Sequence, residues 1–201
     1  MKSLEGPLDL GPADDRRSGI LAAAFEQFMR YGYSRVTMDD IARAASLSRP
    51  LLYREFRNKA DIYAAIATNM LSRTAEAAAD VLRGPGGIDE RLAGALRAGI
   101  LEPMTVIMQS PHGAEILDMK GELIADIYTG WRADMLDALT RAIEAEAQTA
   151  GADLKSKGLS AAGLAETLLD GIEGVKLRST DPAEWQRGAD RLVALAMLAL
   201  R

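Results

Sequence analysis

An all-α chain is expected, and three observations predict it. Aromatic residues make up only 5% of the 201 positions, and β-branched residues are sparse beside Ala, Leu, Arg and Glu. No stretch sustains the period-two alternation of a half-buried strand. Instead, apolar residues return at helical spacing between short segments that carry helix-starting and helix-stopping chemistry.

The elements follow in chain order. Residues 1–13 contain Gly6, Pro7, Gly11 and Pro12 and little that could pack, so a flexible N-terminal arm is expected there. A helix from about Asp14 to Tyr31 follows, with Leu21, Ala24, Phe25 and Phe28 at i, i+3, i+4 and i+7. Gly32 stands where a helix prefers a left-handed cap. Thr37-Met38-Asp39-Asp40 is a capping signal: the hydroxyl takes an orphan N–H, and two carboxylates sit at the positive end of the dipole. The helix it starts, Met38 to Ala45, is short. Ser46 and Leu47 turn the chain, Ser48 caps a helix of about Arg49 to Phe56, and Pro50 falls in its first turn. Asn58 caps a long helix to about Arg83, which Gly84-Pro85-Gly86-Gly87 ends. Further helices are expected at about Ile88–Ile100, Pro103–Gln109, His112–Met119, Leu123–Ala150, Ser160–Arg178 and Pro182–Leu200.

Composition narrows the chemistry. With no cysteine and a single histidine, His112, the chain offers no thiolate site, Cys nucleophile or His pair, and no metal or cofactor is expected. The lone histidine reads as a surface or capping residue. No apolar run approaches the roughly 18–20 residues of a membrane helix, and the N-terminus lacks the apolar core of a secretory signal, so a cytoplasmic protein is expected. The net charge of −5 is unevenly distributed. Residues 16–59 carry +5, whereas residues 61–201 carry −7. A basic module on an acidic body suggests that one end meets an anion such as nucleic acid.

Two short helices joined by a tight turn, in a three-helix basic module, have the geometry of a DNA reader whose second helix enters the major groove. Ile41 and Leu52 read as inward packing residues, Ala45 as small where the helices cross, and Leu47 as a plug in the turn. Arg49, Leu51, Tyr53 and Arg54 lie on the outer side of the second helix. The stretch Ile20 to Ile66, with Tyr31-Gly32-Tyr33, Thr37-Met38-Asp39-Asp40-Ile41-Ala42, Leu51-Leu52-Tyr53-Arg54-Glu55-Phe56 and Asn58-Lys59, closely resembles the DNA-binding domain of the TetR (tetracycline repressor) family of transcriptional regulators. The resemblance covers about a quarter of the chain. It implies phosphate contacts from Thr37 and Tyr53, a phosphate charge from Lys59, and base-edge contacts from Arg49 and Pro50; Ser48, the cap of that helix, is counted with them among the DNA-binding residues. Hydroxyls and a helix N-terminus suit phosphate, and Arg suits guanine. Ser46 stands where the family often has Gly. Leu51 stands where it often has Thr or Ser, and a thymine methyl is its expected partner. Tyr53 also admits a plainer role as an amphipathic cover residue, and Arg54 one in the general phosphate field.

The domain division expected is 14–60 for DNA binding and 61–201 for a helical body, in which the resemblance implies effector binding and dimerisation. Leu164, Leu168, Ile172 and Val175 line one side of the penultimate helix, and Leu192, Leu195, Ala196 and Ala199 one side of the last. That stripe suits a four-helix homodimer interface, with Gly171 and Gly174 allowing close approach; internal core is the alternative. Met70, Met104, Ile107, Met108, Ile116, Tyr128 and Trp131 are the candidate lining of a small, largely apolar effector pocket; a Met-filled core is the alternative. The function expected is a dimeric regulator of double-stranded DNA, most often a repressor, released from a palindromic operator by such an effector. The long helix from Lys59 would be its hinge. An activator, an architectural binder without effector, and a helical enzyme are the competing readings. Against the enzyme, no nucleophile–base set, phosphate loop or metal cluster is visible.

Overall fold

A computed structural model of the chain describes residues 16–118 and 124–201. The expected arm at 1–13 lies outside the described residues, as do the expected helix ends at Met119 and Leu123. Among the described residues the secondary structure is entirely helical: α1 (Arg16–Tyr31), α2 (Met38–Ala44), α3 (Arg49–Glu55), α4 (Lys59–Arg83), α5 (Ile88–Leu96), a π turn (Arg97–Leu101), α6 (Glu102–Met108), α7 (Gly113–Asp118), α8 (Ala125–Ala150), a 3₁₀ turn (Lys155–Lys157), α9 (Ala161–Arg178) and α10 (Pro182–Ala199). None of these helices is long and apolar enough to cross a membrane.

Tertiary contacts divide the chain into two compact units. The first comprises the described residues of Met1–Arg73 and Met104–Gly130. Its core joins Ile20, Phe25 and Phe28 of α1 to Ile41 of α2, Leu52 of α3, Ile62 and Ile66 of α4, and Ile107 and Ile116 of α6 and α7. Ile41 and Leu52 are completely buried, as their periodicity predicts, and each such side chain stabilises the unit by about 1.5–3 kcal/mol. α6, α7 and the first residues of α8 therefore fold together with the three N-terminal helices. α6 and α7 come close because Gly113 has no side chain; a Cβ there would lie 2.0 Å from the Ile107 carbonyl oxygen.

The second unit comprises Thr74–Pro103 and Trp131–Arg201. Leu92, Leu96, Met135, Leu139, Ile143, Leu168 and Trp185 are among its most deeply buried side chains. The expected helix 88–100 is interrupted, since α5 passes into the π turn at Arg97. A Cβ at Gly99 would lie 2.8 Å from Met135 Cε and 3.1 Å from Ala78 Cβ, so the glycine admits those neighbours. α9 and α10 approach closely for the same reason. A Cβ at Gly171 would meet Leu192 Cδ2 at 2.5 Å, and one at Gly188 would meet Val175 Cγ1 at 2.7 Å. Gly174, in contrast, borders open space, so only one of the two glycines expected to permit approach does so within the chain.

This packing corrects the expected interface stripe. Leu164, Leu168, Ile172, Val175, Ala196 and Ala199 are buried inside their own chain, which leaves them no surface to offer a second copy. Leu192 is half-buried against Gly171, and only Leu195 of the stripe is well exposed, at 64%. Leu177 (88%) and Leu198 (62%), absent from the stripe, are the other leucines of α9 and α10 that face out.

Candidate nucleic-acid interface and apolar cavity

The turn between α2 and α3 follows from local chemistry. Ser46 N donates to Arg43 O and Leu47 N to Ala42 O, the paired bonds of a helix end with a left-handed residue between them. Ser46 is that residue, at φ +56°, a conformation that costs a non-glycine about 1 kcal/mol. Leu47 and Ala45 pack partly buried against the core, as plug and crossing residue. The start of α2 is a complete capping box: Thr37 Oγ1 accepts from Asp40 N (3.2 Å), while Asp40 Oδ2 accepts from Thr37 N (3.0 Å) and Oγ1 (2.6 Å). These Thr37 hydrogen bonds, with the neighbouring Arg43, hold the Asp40 carboxyl below its ordinary pKa. The Thr37 hydroxyl is thus engaged, and a phosphate would have to compete with Asp40 for its proton.

α3 presents its outer face as expected. Tyr53 is 45% exposed, Ser48, Arg49, Pro50 and Arg54 are exposed, and Leu51 is half-buried. Ser48 occupies the cap position without a side-chain cap bond, unlike Thr37, so its hydroxyl is not tied to the helix. Arg49 Nε lies 2.7 Å from Asp39 Oδ1 of α2, a pairing that holds the guanidinium at the leading end of α3. The trailing end is anchored by α1: Arg17 donates to the Glu55 carbonyl (3.2 Å), and its guanidinium lies 4.2 Å from the Phe56 ring centroid.

Lys59 departs from its expected role. Its ammonium turns inward, donating to the carbonyls of Tyr33 (2.5 Å) and Val36 (2.8 Å) and lying 4.3 Å from the Tyr33 ring centroid. Burial lowers its pKa, against an opposing pull from Glu115. Three carbonyls of the α1–α2 turn, with Ser34 at 3.4 Å, lie unpaired by helix bonds near the start of α4, and a long cation closes them better than it reaches solvent. In this conformation Lys59 clasps the turn.

Within the same unit lies an apolar cavity of about 70 Å³. Met70, Ile107, Ile116 and Tyr128 of the expected lining are on its wall. Met104 and Met108 are half-buried elsewhere. Trp131 belongs to the second unit, where its Nε1 donates to Thr74 Oγ1 at 3.0 Å. Phe25, Phe28, Tyr63 and Ile66 also form the wall, although periodicity marked the phenylalanines only as core; no sequence signal separates a core residue from one that borders a void. The Tyr63 hydroxyl is engaged, donating to Ile116 O at 2.6 Å, and burial pushes its pKa up to about 12. His112 lies near the start of α7, its Nδ1 3.6 Å from Glu115 Oε2. Among the described residues no group of three or more His, Asp or Glu could hold a metal ion.

Comparisons with known proteins agree with this geometry. Residues 20–66 match the family model of bacterial regulatory proteins, tetR family. Over 87 residues the chain is 34% identical to the HTH-type transcriptional activator FasR of Mycolicibacterium smegmatis, a match spanning 43% of this chain and 40% of that relative. Across nearly the whole fold it is similar to a TetR transcription regulator from Haloarcula marismortui (TM-score 0.72, 19% identity, covering 93% of this chain and 99% of that one). It is also similar to SmeT, the repressor of the Stenotrophomonas maltophilia multidrug efflux pump SmeDEF (TM-score 0.64, 20% identity, covering 93% and 91%). SmeT is also known as a complex with triclosan (TM-score 0.61, 18% identity, covering 92% of this chain and 90% of that one).

Proposed function

We propose that the chain, whose residues 20–66 match the model of bacterial regulatory proteins of the tetR family, is a sequence-specific, effector-responsive regulator of transcription acting in the cytoplasm. One observation carries the DNA half: α3 stands with Arg49, Pro50, Tyr53 and Arg54 outward while Ile41 and Leu52 fix its back to the core. Residues 14–60 are the reading domain in this proposal, and 61–201 supply dimerisation and most of the effector cavity, whose wall Phe25 and Phe28 of α1 complete. A two-fold dimer places two recognition helices about one turn, ~34 Å, apart, which suits a palindromic operator. Leu177, Leu195 and Leu198, with the open backbone at Gly174, are the surface for it.

The effector class follows from the cavity. Its wall is almost wholly apolar and the Tyr63 hydroxyl is already satisfied, which favours a hydrophobic molecule, in line with the triclosan complex of SmeT. At about 70 Å³ it is smaller than the engineered voids of about 150 Å³ that take benzene, so binding requires the wall to open. An effector that favours the opened form shifts the population away from the DNA-competent one, by no more than its differential affinity. Repression is the main reading; activation is kept because FasR is named an activator.

Selection of bound duplexes from a random library, at two salt concentrations, tests the reading. The expected outcome is a palindrome with half-sites about one turn apart. Recovery of no motif, with binding that vanishes at the higher salt, overturns it.

A further inference from the structure

Glu115 of α7 reaches the turn between α1 and α2, 81 residues away in sequence. Its Oε1 accepts from Ser34 N at 2.8 Å and from Ser34 Oγ at 2.6 Å. Room for the carboxylate comes from Gly32, which takes φ +86°; a Cβ there would lie 2.4 Å from Glu115 Oε2. From α4, the Lys59 ammonium holds the carbonyls of the same turn. The turn is therefore gripped by two opposite charges, one taking its N–H and hydroxyl, the other donating to its carbonyls. The turn leads directly into Thr37 and the capping box of α2.

The next residue along α7 faces the other way. Ile116 is on the cavity wall, and its carbonyl accepts from Tyr63 OH at 2.6 Å. The Tyr63 ring packs edge-on to Tyr33 with centroids 5.4 Å apart, so the cavity wall and the turn also share an aromatic contact. One helical step thus places a cavity-wall residue and a turn-holding residue side by side, and Ile116 cannot be displaced far without moving Glu115.

Resting on the regulator reading above, we propose that Glu115 is a positioning residue for DNA reading: it locks the α1–α2 turn, and with it the start of α2, to α7, and opening of the cavity releases that lock. Glu115 touches no DNA in this scheme. It acts through Ser34.

The test uses the full-length protein and an operator obtained by selection, with binding followed by fluorescence anisotropy. Glu115→Ala is expected to weaken operator binding by about ten-fold, within the usual span of coupling between sites. Glu115→Gln, whose amide oxygen can accept the same two bonds, is expected to restore most of it. Ser34→Ala should weaken binding similarly, and the double variant should be no worse than either single one, since both remove one interaction. Amide hydrogen exchange without DNA, expected to be faster across residues 32–37 in Glu115→Ala, supplies a readout independent of the operator. Ala67→Phe, which places a ring at the cavity wall, is expected to weaken binding in the parent protein but not further in Glu115→Ala. Parental affinity and parental exchange in Glu115→Ala overturn the lock alone, as do additive effects of the two alanine variants. A parent chain that selects no operator overturns the regulator reading itself.

Discussion

The two units leave different kinds of large side chain in water. The first exposes Tyr31 and Tyr53, each with a hydroxyl at its tip; the second exposes Leu177, Leu195 and Leu198, which have no polar atom beyond the backbone. A phenol at the surface can bond to a phosphate and needs no second apolar surface. An exposed leucine gains only by being covered. The first unit pins a turn with polar clasps that cross from one helix to another, Lys59 and Glu115. In the second, Lys157 donates to Ala199 O (2.9 Å) and Arg201 O (2.7 Å), Arg132 of α8 pairs with Asp170 of α9 (2.5 Å), and α9 and α10 pack closely at Gly171 and Gly188.

The sharpest way to break this contrast is a pair of substitutions in the second unit. Leu168→Ala, at 1% exposure, is expected to destabilise the chain by about 2–5 kcal/mol in chemical denaturation, because it leaves a cavity in the intrachain core. Leu195→Asp with Leu198→Asp should leave the protomer folded by circular dichroism while sedimentation shows dimer giving way to monomer. If the double variant remains dimeric, the leucines serve something else. In the first unit, Arg49→Ala is expected to cost roughly 1–3 kcal/mol of operator affinity and to relax preference at one base position. Uniform loss over all sequences would make Arg49 a phosphate contact instead. A smaller effect, of opposite sign, is expected from Ser46→Gly, which should stabilise the protein by about 1 kcal/mol in denaturant titration by relieving the left-handed backbone.

The smallest effect concerns acid. Hydrogen bonds from Ser34 and Thr37 hold the Glu115 and Asp40 carboxyls below their ordinary pKa values. Carboxyls depressed in the fold contribute stability that is present above the unfolded value of about 4 and lost as pH falls through the folded values. Melting temperature should therefore be insensitive to these groups at neutral pH and decline below about pH 4, with Asp40→Asn flattening that decline.

Legibility in the sequence followed the range of the interactions. Gly32, Thr37 with Asp40, Ser46 and Asn58 with Asp61 were readable because a cap or turn joins residues two to five apart, and each formed as expected; Asp61 N donates to Asn58 Oδ1 at 2.9 Å. The direction of Lys59 was not readable. Near a helix start a lysine suits a phosphate, and only the fold reveals three carbonyls within its reach. Glu115 left no trace at all, because nothing at position 115 refers to position 34. Among the apolar stripes, periodicity found Leu168 and Leu195 equally well but could not say that one faces the partner helix of its own chain and the other faces water. Trp131 was misplaced for a related reason, since its indole N–H had to find Thr74 before its surroundings could be known.

The inward lysine has a consequence in solution. Each cation set against a DNA phosphate displaces a condensed counterion, and the logarithm of affinity falls with the logarithm of salt by about 0.9 per phosphate neutralised. A head whose Lys59 is engaged with its own backbone displaces about one ion fewer per half-site than one that extends it, so operator binding should tolerate added salt better, by nearly two units of exponent for a dimer.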